Sequence, residues 1–316
     1  MREDKNLRAK ALVFPGQGSQ HPGMGKKLAQ EFGVARQTFE EASDALSMNL
    51  EKLCFEGTEA ELALTANTQP AVLLVSIAAQ RVLQNEFGVE PGFLAGHSLG
   101  EYTALVAAGA MSFRDALLAV RKRGTFMQEA VPEGKGAMAA VFGMEAEALE
   151  EICIEAAEGD VLLPANFNAP GQIVISGHAS AVDRALPLIK EKGGKAKKLK
   201  VSAPFHSELM EPAAERMAEV LAQISYSELA SPVISNVEAS PYPSRDAIPD
   251  ILTRQITSPV RWSESVNYMF EQGCTLFLEI GPGKVLAGLI KRIAPAVKIL
   301  NLAEPQDLEE IEREFS

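Results

Sequence analysis

Short apolar segments alternate with longer stretches of mixed apolar and polar residues along most of the chain. Apolar runs of four or five residues are typical of buried strands, and apolar positions three or four apart are typical of helices packed on a sheet. Strands that alternate with helices predict an α/β protein with a mostly parallel sheet. The expected core strands are residues 11–14, 93–96, 233–236, 276–280 and 298–302.

A different order of elements occupies residues 136–202. The pattern there predicts strand 137–142, helix 145–157, strands 161–166 and 172–176, helix 181–192 and strand 196–201. This β-α-β-β-α-β order predicts a small ferredoxin-like subdomain inserted into a large α/β domain made of residues 1–135 and 203–316. Two local expectations accompany it: a turn over residues 166–171, and a helix that Pro187 shortens or kinks.

Composition excludes several classes of protein. With 316 residues, 47% of them hydrophobic, the chain can bury a large core. The formal net charge of −12 argues against a nucleic-acid-binding surface. Residues 1–10 are charged and lack the apolar core of a signal peptide, and no run reaches the roughly 18 apolar residues of a membrane span. We therefore expect a cytoplasmic protein with no membrane partner, and a monomer by default.

The spacing of cysteines and histidines indicates neither disulfides nor a metal. The three cysteines form no C-x-x-C, and the four histidines include no H-E-x-x-H. Buried thiols and no metal site are expected.

One local basic segment departs from the acidic average. It contains Lys190, Lys192, Lys195, Lys197, Lys198 and Lys200. Such a segment fits either an acidic or phosphorylated partner, or a solvated strand edge whose lysines discourage aggregation. The sequence leaves both open.

Gly96-His97-Ser98-Leu99-Gly100 is a G-x-S-x-G sequence between a predicted strand and a predicted helix. In that context the glycines permit a sharp turn that exposes the serine hydroxyl beside the N-terminus of the helix. A serine before a helix is often only an N-cap. The apolar segments on both sides favour a nucleophile at Ser98.

A serine nucleophile needs a base, and His206 is the best candidate. It lies where the inserted subdomain is expected to return to the main domain, and such junctions often line clefts. A structural histidine is an equally good interpretation of this position. Asp115, Asp160 and Asp183 have the chain order of a triad acid but no persuasive context, so a backbone carbonyl is the alternative partner of the base.

Two glycine-rich loops follow predicted strands. Residues 16–20 (GQGSQ) lack the third glycine of a dinucleotide site. This loop is either a plain turn or, with Gln17 and the backbone N–H of Leu99, a source of oxyanion donors. Residues 281–284 (GPGK) lack the P-loop spacing and are expected to be architectural, with anion binding as the minor alternative.

Several further motifs occur in order along nearly the whole chain. Beside those already quoted, the set contains Arg123-Gly124 with Phe126-Met127-Gln128, residues 166–171, Pro204-Phe205-His206, and Gln255 with Pro259-Val260-Arg261-Trp262. The set closely resembles the malonyl-CoA:acyl carrier protein transacylases of bacterial fatty acid synthesis. That resemblance implies a hydrolase-like α/β core with a mostly parallel sheet plus a ferredoxin-like subdomain.

The resemblance also implies a role for each matching residue. Ser98 is the acylated nucleophile, His206 the general base, and Gln17 with the Leu99 amide the oxyanion hole. Arg123 binds the free carboxylate of the malonyl group, a role that its place in the charged run Arg121-Lys122-Arg123 would not by itself suggest. The backbone carbonyl of Gln255 orients the histidine.

The implied reaction transfers a malonyl group from malonyl-CoA to the phosphopantetheine thiol of acyl carrier protein, through a malonyl-serine ester and without a cofactor. Phe205 is expected to crowd an α-branch, which favours malonyl over methylmalonyl. The alternatives are a serine hydrolase that shares the turn, such as a thioesterase or patatin-like lipase, and a carrier-binding scaffold with a degenerate site.

Overall fold

The computed structural model describes residues 10–199, 201 and 203–315. Some residues used in the predictions above lie outside the described residues. They are Lys200 of the basic segment, Ser202 at the predicted end of the subdomain, and the charged N-terminal residues 1–9.

The central sheet has five strands, all parallel to their neighbours, in the order β7-β2-β1-β8-β9. Their bounds are β1 (Lys10–Phe14), β2 (Phe93–Gly96), β7 (Val233–Ile234), β8 (Leu276–Ile280) and β9 (Lys298–Leu302). The first strand shows why these segments are apolar throughout. Leu12 and Phe14 pack into one hydrophobic cluster and Ala11 and Val13 into another, because successive side chains of a strand point to opposite faces of the sheet.

Helices cover both faces of this sheet. Those before the insertion are α1 (Lys26–Glu31), α2 (Gly33–Leu46), α3 (Leu50–Glu56), α4 (Glu59–Ala63), α5 (Thr65–Phe87), α6 (Leu99–Ala107) and α7 (Phe113–Glu129). Those after it are α10 (Glu211–Leu221), α11 (Ile248–Gln255), α12 (Trp262–Glu271), α13 (Val285–Ile293) and α14 (Leu308–Phe315). Single 3₁₀ turns occupy Glu208–Met210, Arg245–Ala247 and Pro305–Asp307.

The segment between α7 and α10 forms a second, antiparallel sheet in the order β4-β5-β3-β6. Its elements are β3 (Gly136–Phe142), α8 (Ala146–Ala157), β4 (Leu162–Ala169), β5 (Gln172–His178), α9 (Ala179–Glu191) and β6 (Lys195–Lys198). The two helices and the sheet share their own hydrophobic cluster. The predicted fold class, a hydrolase-like α/β core with a ferredoxin-like subdomain, is confirmed, while the domain boundaries at 135/136 and 202/203 stay a prediction.

One local prediction was wrong, and the helix shortening allowed for in another did not occur. The turn expected over residues 166–171 is confined to Pro170 and Gly171, because β4 continues to Ala169 while pairing irregularly with β5 and Asn166 bridges to Val260. Pro187 does not shorten its helix, since α9 continues to Glu191. Its buried face, which includes Ala185 and Ile189, packs on the sheet, and tertiary packing outweighs local propensity there.

Among the residues that the structure describes, no helix is long and apolar enough to cross a membrane.

Candidate active site

Ser98 lies on the turn between β2 and α6, at the carboxyl edge of the parallel sheet, where α/β proteins bind ligands. Its backbone has φ 52° and ψ −104°, a conformation that non-glycine residues rarely adopt. The two glycines of the motif make this turn possible. A Cβ on Gly96 would lie 1.9 Å from the Gly100 carbonyl carbon, and one on Gly100 would lie 2.1 Å from the Phe14 oxygen.

His206 faces this serine from a distant part of the chain. Its Nε2 lies 2.8 Å from Ser98 Oγ, and the residue has a φ of 60° and is buried. Pro204 precedes it, and the Ser207 hydroxyl donates to the Pro204 carbonyl, which closes a tight turn around the histidine. The structure therefore brings together the two residues that the sequence analysis paired.

The partner of the second imidazole nitrogen fixes the tautomer. His206 Nδ1 lies 2.8 Å from the backbone carbonyl oxygen of Gln255. A carbonyl can only accept, so Nδ1 carries the hydrogen and Nε2 presents its lone pair to the Ser98 hydroxyl. Gln255 is the last residue of α11, where helix carbonyls lack a partner within the helix.

Burial, followed by the positive charge of Arg123, lowers the pKa of His206 to about 3. The imidazole is therefore neutral across the neutral pH range and able to accept a proton.

The three candidate triad acids lie elsewhere. Asp115 bonds to Ser112 at the N-terminus of α7, Asp160 to Ser180 and Arg184, and Asp183 to Lys198. A carbonyl, not a carboxylate, is the group that faces His206 Nδ1.

Arg123 lies on the buried face of α7 and is 1% exposed, whereas its neighbour Lys122 is exposed. Its Nη2 donates to Ser98 Oγ at 3.1 Å and to Gln255 Oε1 at 2.8 Å, and its Nη1 donates to Gln69 Oε1 at 3.0 Å. Its Nε has no hydrogen-bond partner among the described residues. A buried cation with an unsatisfied donor beside the hydroxyl is suited to bind an anionic substrate group.

Gln17 and Leu99 line the same cleft as Ser98. The Gln17 side chain donates to Thr65 Oγ1 at 3.4 Å. Leu99 is the first residue of α6, so its N–H lies at a helix N-terminus, where backbone donors have no acceptor within the helix. Both positions fit the oxyanion role, which stays a prediction.

Sequence reasoning missed Asn236, which holds the backbone of the turn. Its Oδ1 accepts from the Ser98 N–H at 2.7 Å, and its Nδ2 donates to the Gly96 carbonyl at 2.7 Å. The residue lies two positions after the end of β7, at the carboxyl edge of the sheet. That position was the signal available in the sequence.

A buried carboxyl, Glu101, was also assigned no role. It is 0% exposed and accepts hydrogen bonds from the Tyr242 hydroxyl, from Gln255 Nε2 at 2.6 Å and from the Asn236 N–H at 3.2 Å. Burial raises its pKa to about 7, although these hydrogen bonds act in the opposite direction. The single acid in the apolar run Leu99–Ala107 was the signal in the sequence.

A cleft opens beside Ser98, and residues of both sheets' parts of the chain line it. Its lining combines polar groups with an apolar wall that includes Met127, Met138, Leu199 and Phe205. A neighbouring cavity shares Leu199 with this wall and continues to α13. Gln17, His97, Asn166 and Leu199 line both.

His97 supports the cleft and does not face Ser98 Oγ. Its Nε2 lies 2.8 Å from Asn168 Oδ1 of β4, and its ring lies beside Trp262. Burial lowers the pKa of His97. This contact links the inserted sheet to the turn that carries the serine.

The second glycine-rich loop, residues 281–284, leads into α13. Backbone N–H groups at the N-terminus of this helix already have an acceptor within the protein. The buried carboxylate of Glu279 accepts from the Leu286 N–H at 3.0 Å and from the Ala287 N–H at 2.7 Å. Across the described residues, no group of three His, Cys, Asp or Glu side chains is arranged to hold a metal ion.

Comparison with known proteins gives consistent results. A model of the acyl transferase domain family matches residues 11–299. The malonyl CoA-acyl carrier protein transacylase of Bacillus subtilis (strain 168) is 51% identical over 301 residues, which cover 95% of this chain and 95% of the relative.

Solved structures agree with the sequence relatives. A malonyl CoA-acyl carrier protein transacylase from Coxiella burnetii superposes with a TM-score of 0.95 at 46% identity, covering 98% of each chain. A malonyl-transacylase solved in complex with its type II PKS acyl-carrier protein has a TM-score of 0.94 at 46% identity, covering 96% of this chain and 99% of the other.

Proposed function

This chain belongs to the acyl transferase domain family, and we propose that it moves a malonyl group from malonyl-CoA to the phosphopantetheine thiol of an acyl carrier protein, for fatty acid synthesis. The observation that carries the proposal is the buried Arg123 guanidinium 3.1 Å from Ser98 Oγ, which is itself 2.8 Å from His206 Nε2. A nucleophile, a base and a fixed cation within one cleft match a substrate with a thioester at one end and a carboxylate at the other.

In the first half-reaction Ser98 Oγ attacks the thioester carbonyl and His206 Nε2 takes its proton. The N–H groups at Leu99 and Gln17 stabilise the oxyanion, each worth about 10²–10³-fold in rate. Collapse of the intermediate breaks the C–S bond, and the coenzyme A thiolate leaves with the proton from His206.

In the second half-reaction the carrier thiol gives its proton to His206 and attacks the malonyl ester. The ester C–O bond breaks, and Ser98 Oγ recovers the proton. Arg123 holds the malonyl carboxylate through both halves, because a planar guanidinium can bind a carboxylate by two parallel hydrogen bonds.

The proposed mechanism needs no cofactor, because the nucleophile, the base and the carboxylate site are all parts of this chain. A monomer as the active form stays a prediction. The exposed lysines of α9 and β6 stay candidates for contact with an acidic carrier, and the cytoplasmic location stays a prediction.

Intact-protein mass spectrometry tests the proposal. The protein is exposed to malonyl-CoA, and the carrier with its phosphopantetheine arm is then added. We expect a malonyl adduct that disappears as malonyl-carrier forms.

Ser98→Ala should form no adduct, whereas the exposed Ser227→Ala should behave like the unaltered protein. An adduct that water releases without transfer would support a hydrolase instead. No adduct at all on the unaltered protein would indicate a scaffold.

A further inference from the structure

Glu101 is a buried carboxyl that the proposed mechanism does not use. It lies in the first turn of α6, three residues after Ser98, and contacts neither His206 nor Arg123 by a hydrogen bond. Its hydrogen-bond donors are Gln255 Nε2, the Asn236 N–H and the Tyr242 hydroxyl. Its influence on the reacting groups must therefore pass through these neighbours.

Among these neighbours, the Gln255 side chain contacts both Ser98 and Arg123. An amide nitrogen has two N–H donors, and Gln255 Nε2 uses one on the Ser98 carbonyl at 3.0 Å and the other on Glu101 Oε2 at 2.6 Å. The amide oxygen consequently points the other way and accepts from Arg123 Nη2 at 2.8 Å. The amide orientation and the guanidinium position are thus coupled.

The reversed amide would be unfavourable at both ends. Its oxygen would meet Glu101 Oε2, which has no hydrogen to give when the carboxyl is ionised, and its NH₂ group would meet the Arg123 guanidinium, which has only donors. Glu101 therefore selects one of the two orientations that the shape of the glutamine side chain allows.

A direct ion pair between Glu101 and Arg123 would have a different effect. It would occupy the guanidinium with a carboxylate of the protein itself and compete with a carboxylate of the substrate. The glutamine between them keeps the arginine in place without neutralising it by contact.

We propose that Glu101 is a positioning residue for acyl-group selectivity: by accepting from Gln255 Nε2 it fixes the Gln255 amide oxygen on Arg123, and so holds the guanidinium beside Ser98 for a substrate carboxylate. This inference rests on the proposed function, since it concerns how that site prefers an acid-bearing acyl group to a neutral one.

The test is the ratio of kcat/KM for malonyl-CoA to kcat/KM for acetyl-CoA. This ratio does not depend on the fraction of protein that is folded, so a destabilised variant still gives an answer. Glu101→Leu removes the acceptor, and we expect the ratio to fall at least tenfold, mainly through a higher KM for malonyl-CoA.

Glu101→Gln should rescue the ratio to within about threefold of the unaltered protein. Its amide oxygen can accept from Gln255 and Asn236 while its NH₂ group donates to the Tyr242 oxygen. Tyr242→Phe removes another donor to Glu101 without touching Gln255, so it should reduce thermal stability and leave the ratio unchanged.

A double-mutant cycle tests whether Glu101 acts on Arg123 through the Gln255 side chain. In a Gln255→Leu background, which keeps the backbone carbonyl for His206, Glu101→Leu should cause no further fall in the ratio. An unchanged ratio in the single Glu101→Leu variant, or an equal further fall in the double variant, would overturn the inference. Absence of malonyl transfer by the unaltered protein would instead overturn the proposed function.

Discussion

The two sheets that border the cleft contribute different kinds of groups to it. The parallel-sheet part supplies the side chains linked to Ser98 Oγ, namely His206 and Arg123, and each is held by further hydrogen bonds. The inserted sheet supplies apolar wall, such as Met138, and the polar residues Asn166 and Asn168, of which Asn168 contacts His97. In the proposed mechanism, bond making is therefore confined to one side of the cleft, while the other side contributes to its wall.

The largest effect should come from the base. His206→Ala is expected to lower malonyl transfer by about 10²–10⁴-fold, because no other imidazole faces Ser98 in the described structure. The matched control is His178→Ala on the inserted sheet, whose ring accepts from the Val161 N–H, and it should change the rate less than threefold. Steady-state transfer rates measure both effects. Similar losses in the two variants would contradict the assignment of the base to the parallel-sheet side of the cleft.

Arg123→Ala should have the next largest effect, on selectivity. A hydrogen bond to a charged group contributes about 1.5–3 kcal/mol, so kcat/KM for malonyl-CoA should fall about 10–100-fold while acetyl transfer is kept or increased. Arg123→Lys should not restore malonyl transfer, because an ammonium group lacks the planar fork. Lys122→Ala, on the exposed side of the same helix, is the control. An unchanged malonyl preference in Arg123→Ala would show that the arginine is not the carboxylate site.

A smaller effect is expected on the side of the inserted sheet. Asn168→Ala removes a neutral hydrogen bond to His97, worth about 0.5–1.5 kcal/mol, so transfer should fall only a few-fold. The loss should be equal for malonyl and acetyl groups, since Asn168 contacts neither Ser98 nor Arg123 by a hydrogen bond. The exposed Asn85→Ala is the control. A loss confined to malonyl would mean that the inserted sheet also takes part in selection.

The smallest expected effect is that of pH on the rate of acylation. The pKa of His206 is lowered to about 3, so its neutral form persists well below the ordinary histidine value of 6.5. Acylation by saturating acetyl-CoA should therefore be nearly constant from pH 5 to pH 8. Glu101→Gln is the suitable background, because it removes the carboxyl whose pKa is raised to about 7. A fall in rate centred near pH 6.5 would contradict a buried neutral base.

Much of this arrangement could be predicted because local rules decide it. The strand-turn-helix at Ser98, the β-α-β-β-α-β order and the apolar strands all follow from short-range patterns. The errors arose where tertiary contacts outweigh local propensity. Residues 166–169 have turn composition but continue a strand, because β5 and Val260 supply partners for their backbone.

In the candidate site, too, some features follow from local sequence and others from tertiary contacts. Short-range patterns in the sequence are enough to predict a serine on a tight turn, and the family resemblance names its partners. The direction in which each of those groups faces depends on how distant parts of the chain pack together. Arg123 is the clearest case, since nothing in Arg121-Lys122-Arg123 distinguishes the buried cation from its exposed neighbour. Helix packing buries one face of α7, and hydrogen bonds from residues more than a hundred positions away, as between Ser98 and His206 or Asn236, can form only after the chain has folded.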